Sequence, residues 1–157
     1  MRSFILALLL VGTTLSLNAQ KNSIPKVFEI SENDELFESL TSEFSGSLLS
    51  VCNDDMDKSI VKWMHFLRSM ELYSEEVQYD IRGLKCWFKI FFNANGTIAH
   101  LSYSLKANSI NINPEELSAF FAGFIKRYKL PVVSPNKFSH YAGASFPTFI
   151  QDNDLKE

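Results

Sequence analysis

Between Lys85 and Leu105 apolar and polar side chains alternate through two runs, and the pair Asn95-Gly96 stands between them. A period of two marks a half-buried strand, and a two-residue Asn-Gly link is the preferred type I′ turn of a hairpin. Taken literally, that turn sets Phe92 opposite Ala99, Ile90 opposite Leu101, Phe88 opposite Tyr103 and Cys86 opposite Leu105, so one face is wholly apolar or aromatic. The other face collects Lys85, Trp87, Lys89 and Phe91 across from Lys106, Ser104, Ser102 and His100. A slip of one residue would mix the two sets, so the pattern itself supports the register.

On either side of the hairpin the period becomes helical. Asn113-Pro114-Glu115-Glu116 supplies a capping side chain, a proline at the first helical position and two carboxylates at the positive end of the helix dipole. Leu117, Phe120, Phe121, Phe124 and Tyr128 then form one stripe. Ile60, Trp63, Met64, Leu67 and Met70 form another, in a helix expected over 56–72 with caps offered by Asn53, Asp54 and Asp55. Ser31 ahead of Glu32, Asn33 and Asp34 predicts a shorter helix over 33–45, carrying Leu36, Phe37, Leu40 and Phe44. Leu48 to Val51 fits a short strand or a connector, and Phe138 to Phe146 reads as a last strand.

Together these elements predict an α+β fold: a three-stranded antiparallel sheet with a β-β-α-β core in the order 2-1-3. The helix from Pro114 to Tyr128 covers one face, and N-terminal helices cover the other face or one end. A right-handed return of the last strand sets that order and leaves the second and third strands as edges, where another backbone can pair.

The ends of the chain read differently. Arg2, the apolar run Phe4 to Leu17 and the small residue of Leu17-Asn18-Ala19 have the layout of a signal peptide over 1–19, cut before Gln20. Gly12, Thr13, Thr14 and Ser16 interrupt the run, which argues against an uncleaved anchor. A lead segment over 20–30, one domain over 31–150 and an acidic, frayed tail over 151–157 would follow, in a soluble periplasmic or secreted protein with no membrane span after cleavage. Without Arg2 the chain holds 14 basic and 18 acidic side chains, and this acidic balance with no basic stripe argues against nucleic acid.

Export makes the two cysteines worth attention. Cys52 and Cys86 are the whole complement, so an oxidising compartment would allow one disulfide between them; two separate buried thiols are the alternative. No Cys-x-x-Cys, His-x-His or helical His pair is present, and His65, His100 and His140 fall on three different elements, so no metal and no cofactor is expected. Glu115-Glu116 serve a helix start, no Gly-x-Ser-x-Gly marks a nucleophile, and no catalytic residue is assigned. Asn95-Gly96-Thr97 also fits a glycosylation acceptor, which the turn explains first.

The run Gly83-Leu-Lys-Cys-Trp-Phe-Lys-Ile-Phe-Phe-Asn-Ala-Asn-Gly-Thr-Ile, with Arg127-Tyr-Lys-Leu-Pro131 after the helix, resembles the C-terminal domain of TonB-type energy transducers over about residues 83–147. The resemblance implies a β-β-α-β core and pairing of a partner's extended segment with a strand edge. Those transducers keep a membrane anchor and a long Pro-rich spacer, and this chain shows neither, so force transmission does not carry over.

What remains is a choice of binding modes. Trp87 and Phe91 lie on the sheet face that also carries Lys85, Lys89 and His100, and with Tyr141 of the last strand they mark a candidate docking patch: Trp87, Phe91, His100 and Tyr141. The first expectation is a non-enzymatic module binding an envelope protein or peptide by an edge strand or this patch, with a homodimer through the open edge as a further outcome. The second is a carrier of a small apolar ligand in a cavity between sheet and N-terminal helices, lined by Phe88, Phe121 and Trp63.

Overall fold

A computed structural model describes residues 24–110 and 112–155; the leader read over 1–19 lies outside them. In chain order the elements are β1 (Val27–Glu29), α1 (Asp34–Glu43), β2 (Gly46–Ser47), α2 (Leu48–Val51), α3 (Met56–Glu76), β3 (Lys85–Phe92), β4 (Ile98–Leu105), α4 (Pro114–Arg127) and β5 (Phe138–Ser145), with short 3-10 turns at Ile30–Glu32 and Asp152–Leu155. Among the described residues no helix is long and apolar enough to cross a membrane.

The three-stranded antiparallel sheet expected from the sequence is overturned. The sheet has five strands in the order β1-β4-β3-β5-β2 and is mixed, because β1 runs parallel to β4 and β2 parallel to β5. Two or three residues are too few to display an alternation, so these outer strands leave no periodic signal. Their pairing is decided by distant partners: Val27 meets Leu101, and Gly46 meets Phe138.

The placement of the long N-terminal helix is corrected as well. Phe66 of α3 packs edge-on against Phe88 of β3 and Phe124 of α4, so α3 and α4 share one face of the sheet. Its buried stripe is turned from the expected one: Phe66, Leu67 and Met70 are buried, whereas Ile60 is exposed. Trp63 stacks on Phe66 with ring centroids 5.0 Å apart. The aromatic contacts reward this rotation, since each well-oriented pair adds about 0.5–1.5 kcal/mol beyond its buried area.

Among the described helices, α1 is the one that packs on the opposite face. Phe44, at its C-terminal end, sets its ring 5.4 Å from that of Phe91, and Phe28, Leu40 and Ala99 complete a small second cluster. Ser31 does not cap this helix but lies in a 3-10 turn before it. Leu48–Val51, which fits a short strand or a connector in the sequence, is one helical turn linking β2 to α3, held by reciprocal bonds between Ser47 and Ser50.

The hairpin keeps the expected pairs Cys86–Leu105, Phe88–Tyr103 and Ile90–Leu101, then shifts so that Phe92 meets Ile98 rather than Ala99. Asn93 and Thr97 close the loop, Gly96 N–H donates to Asn93 O, and only Gly96 of the Asn-Gly pair takes a positive φ, +83°. The two-residue turn is thus replaced by the three residues Ala94, Asn95 and Gly96, with one extra residue absorbed in β4 as a bulge. Two contacts favour this form: the Asn95 carboxamide accepts from Thr97 N–H at 3.1 Å, and Leu130 N–H donates to Gly96 O at 2.9 Å.

The tail is docked rather than frayed as far as Leu155. His65 Nε2 lies 3.0 Å from Leu155 O, and Gln151 N–H donates to Asp154.

Candidate functional site

Alternation along β3 sends Cys86, Phe88, Ile90 and Phe92 under the helices, and Lys85, Trp87, Lys89 and Phe91 to the other side. Because α1 covers only the end of that side, its four aromatic and histidine candidates part company. Phe91 is fully buried beneath Phe37 and Phe44. His100 is half-buried beside Phe44, with Nδ1 2.8 Å from Pro25 O, and burial holds its pKa below the ordinary histidine value. These two residues therefore belong to the fold, and the docking patch read from the sequence loses them.

Trp87 and Tyr141 remain in solvent. Their rings stack nearly parallel, 10° apart with centroids at 5.4 Å, and are 42% and 52% exposed. Lys106 Nζ sits 4.7 Å from the Trp87 ring centroid. Gly143 lies beneath the indole: a Cβ added there would come within 3.2 Å of it. An exposed aromatic pair fixed from below and beside is a preorganised platform, since little side-chain freedom is left to lose on binding.

The strand that carries Tyr141 is also open at its outer side. β2 pairs with β5 only at Phe138 and Ser139 before the chain turns into α2. Phe146 N–H donates to Leu84 O, so by ladder alternation Ala144, Ala142 and His140 turn their main-chain groups toward β3. Tyr141, Gly143 and Ser145 turn theirs outward, where among the described residues no strand takes them. Beside them lies a pocket of about 410 Å³ lined by Leu48, Met56, Ser59, Lys89, His140 and Tyr141 among others.

Beyond the part covered by α1, the charge carried by the strands on this side is of one sign. The open face presents Lys85, Lys89 and Lys106 with serines, tyrosine and tryptophan, and none of its strand positions is acidic. Among the described residues no carboxylate forms an ion pair with any of the three lysines. Burial lowers the pKa of Lys89. It also holds His140 down at about 4, with Lys89 adding to the effect, and His140 Nε2 is buried without a hydrogen-bond partner. Neither residue stands out in the sequence as a site residue: Lys89 falls where the alternation expects a polar side chain, and His140 is one of three histidines on different elements.

The thiols and the expected cavity lie elsewhere. Cys52 and Cys86 are both buried and no disulfide joins them; burial pushes the Cys86 thiol up to about 12. The bridge allowed by the sequence is not formed: the alternative holds, two separate thiols buried in the core under the helices, Cys86 on β3 and Cys52 at the end of α2. Phe88 and Phe121 are fully buried with centroids 5.4 Å apart, and Trp63 lies 6.3 Å from Phe88, so side chains fill the space proposed for an apolar ligand.

A separate groove of about 450 Å³ runs between the end of α3 and residues 146–150. Most of its charges have partners within it: Arg82 clamps Asp80 through two side-chain bonds, Arg68 neighbours Glu71, and Glu71 accepts from Thr148 N–H and Oγ1–H, while Glu75 also lines the groove and Arg68 Nε is buried without a hydrogen-bond partner. The Arg82 clamp holds the Asp80 carboxyl down at about 2. Among the described residues no group of three or more His, Cys, Asp or Glu side chains is gathered as for a metal ion.

In comparison with known proteins, no family model matches the chain, and neither a curated protein nor a solved structure matches it.

Proposed function

We propose that this chain is exported and acts as a non-enzymatic binding module that takes an extended segment of a partner protein or peptide along the edge of β5. The observation that carries the reading is the unpaired edge at Tyr141, Gly143 and Ser145, set directly beside the exposed Trp87–Tyr141 stack. Main-chain bonds to such an edge give affinity for any extended backbone, and the platform next to it selects side chains. The leader-like start of the chain and the resemblance to TonB C-terminal domains support the same reading from the sequence.

Selection from a random peptide library on the mature protein, followed by amide hydrogen exchange, tests it. Enriched peptides are expected to slow exchange at Tyr141, Gly143 and Ser145 and to change the fluorescence of Trp87. Protection confined to the groove at residues 146–150 would replace the module with a ligand carrier using that groove. Protection of β5 in the absence of peptide, growing with protein concentration, would make the partner a second copy.

A further inference from the structure

We infer that the segment accepted by β5 is acidic, with carboxylates four residues apart on the side facing Trp87. This inference rests on the proposed edge pairing and adds the chemistry of the partner. In a chain whose formal net charge is -3, three lysines share one sheet face and none has a carboxylate partner among the described residues. Leaving like charges together without counter-charge costs stability and is sustained at surfaces that meet an opposite charge.

The register says where those charges fall. Lys89 pairs with Tyr141, Trp87 with Gly143 and Lys85 with Ser145. A strand added outside β5 lies about 4.8 Å beyond it, hence about 10 Å from β3, a gap that a lysine and a glutamate side chain reaching toward one another can span. The partner residue opposite Tyr141 then addresses Lys89, and the one opposite Ser145 addresses Lys85. The residue between them on the same side, opposite Gly143, meets the edge of the Trp87 indole that overhangs this glycine, and is best apolar. Lys106 reinforces the field from above the indole. The pocket at the end of the edge continues the pattern, since its lining includes Lys89 and no carboxylate.

The probe is a capped Thr-Glu-Thr-Val-Thr-Glu-Thr peptide, compared with the same peptide carrying lysine in place of both glutamates, against the mature protein by fluorescence titration. The acidic peptide is expected to bind at least about tenfold more tightly at low ionic strength, with the advantage shrinking as salt is added. The variant carrying Lys85→Glu and Lys89→Glu is expected to reverse the preference. Lys89→Gln, which changes one charge and little shape, is expected to reduce it should the double variant not fold. Ser145→Pro removes an outward N–H without breaking the ladder to β3, and weakens every peptide that pairs with the edge. Equal binding of both peptides, with both lost in Ser145→Pro, overturns the acidic assignment and leaves the edge reading standing. Binding of neither peptide overturns the acidic assignment, and the library selection then decides the edge reading separately.

Discussion

His140 shows how one side chain couples the fold to pH. Its ring lies 4.8 Å from that of Trp63, its Nε2 has no hydrogen-bond partner, and burial, with Lys89 nearby, lowers its pKa from 6.5 to about 4. The folded protein therefore resists a proton that the unfolded chain accepts below pH 6.5. Stability is undiminished above that value, falls as the pH drops toward 4, and levels off below it, with a total loss of at most about 3 kcal/mol from this residue. Urea titrations at a series of pH values should show the decline, and His140→Phe, which keeps a ring against Trp63, should flatten it. An unchanged slope in the variant would assign the pH dependence elsewhere. In the sequence His140 is one of three scattered histidines, because the spacing puts Trp63 in a buried stripe of its helix but does not say on which face of the sheet that stripe packs.

At the scale of elements, the hairpin and α4 were legible because their signals are local. The Asn113 side chain accepts from both Glu115 and Glu116 N–H as the capping pattern requires, and the inward set from Cys86 to Ile90 is buried. The turn was read one residue too short, because its length is set by Leu130 and Lys129, which arrive from beyond α4. Gly96 carries that contact: a Cβ there would lie 2.1 Å from Leu130 O at a φ of +83°. Gly96→Ala is expected to destabilise by about 2 kcal/mol or more in denaturant unfolding, through both the strained backbone and the displaced segment at Lys129 and Leu130. A loss below half of that would mean the exit segment gives way freely. β5 makes a second, sharper prediction. Amides of Tyr141, Gly143 and Ser145 should exchange rapidly in the unliganded protein, while those of His140, Ala142 and Ala144 are held by β3 and exchange slowly. Uniform protection along β5 would mean that its edge is covered, and the docking site would lose its basis.

The whole molecule is lopsided, and that asymmetry decides which part of it yields first. One face of the sheet carries a large core shared by α3, α4 and β3, whereas the other is held by a cluster of five buried residues under α1. Amphipathic spacing said that α1 and α3 each bury a stripe but not against which face. The answer depends on aromatic partners far along the chain, and with it went Phe91 and His100 as surface candidates. Beyond the small cluster, α1 is tied down by the Lys137–Glu43 ion pair and by the Ser139 hydroxyl donating to Phe44 O, both near its C-terminal end. An exposed ion pair adds little, so the free energy holding α1 is chiefly that of a few buried rings. Native-state hydrogen exchange in low denaturant is therefore expected to show Asp34–Glu43 opening at a lower free energy than α4 and β3. Phe44→Ala should widen the gap, costing about 3–5 kcal/mol at α1 if its packing is lost in full. The same opening would uncover Phe91 on the face that holds Trp87, lengthening the aromatic strip, so the variant should bind an apolar dye more strongly while α4 stays protected. If α1 and α4 instead exchanged with one common free energy and denaturant slope, the two clusters would be a single cooperative unit and the open face would end permanently at Lys89.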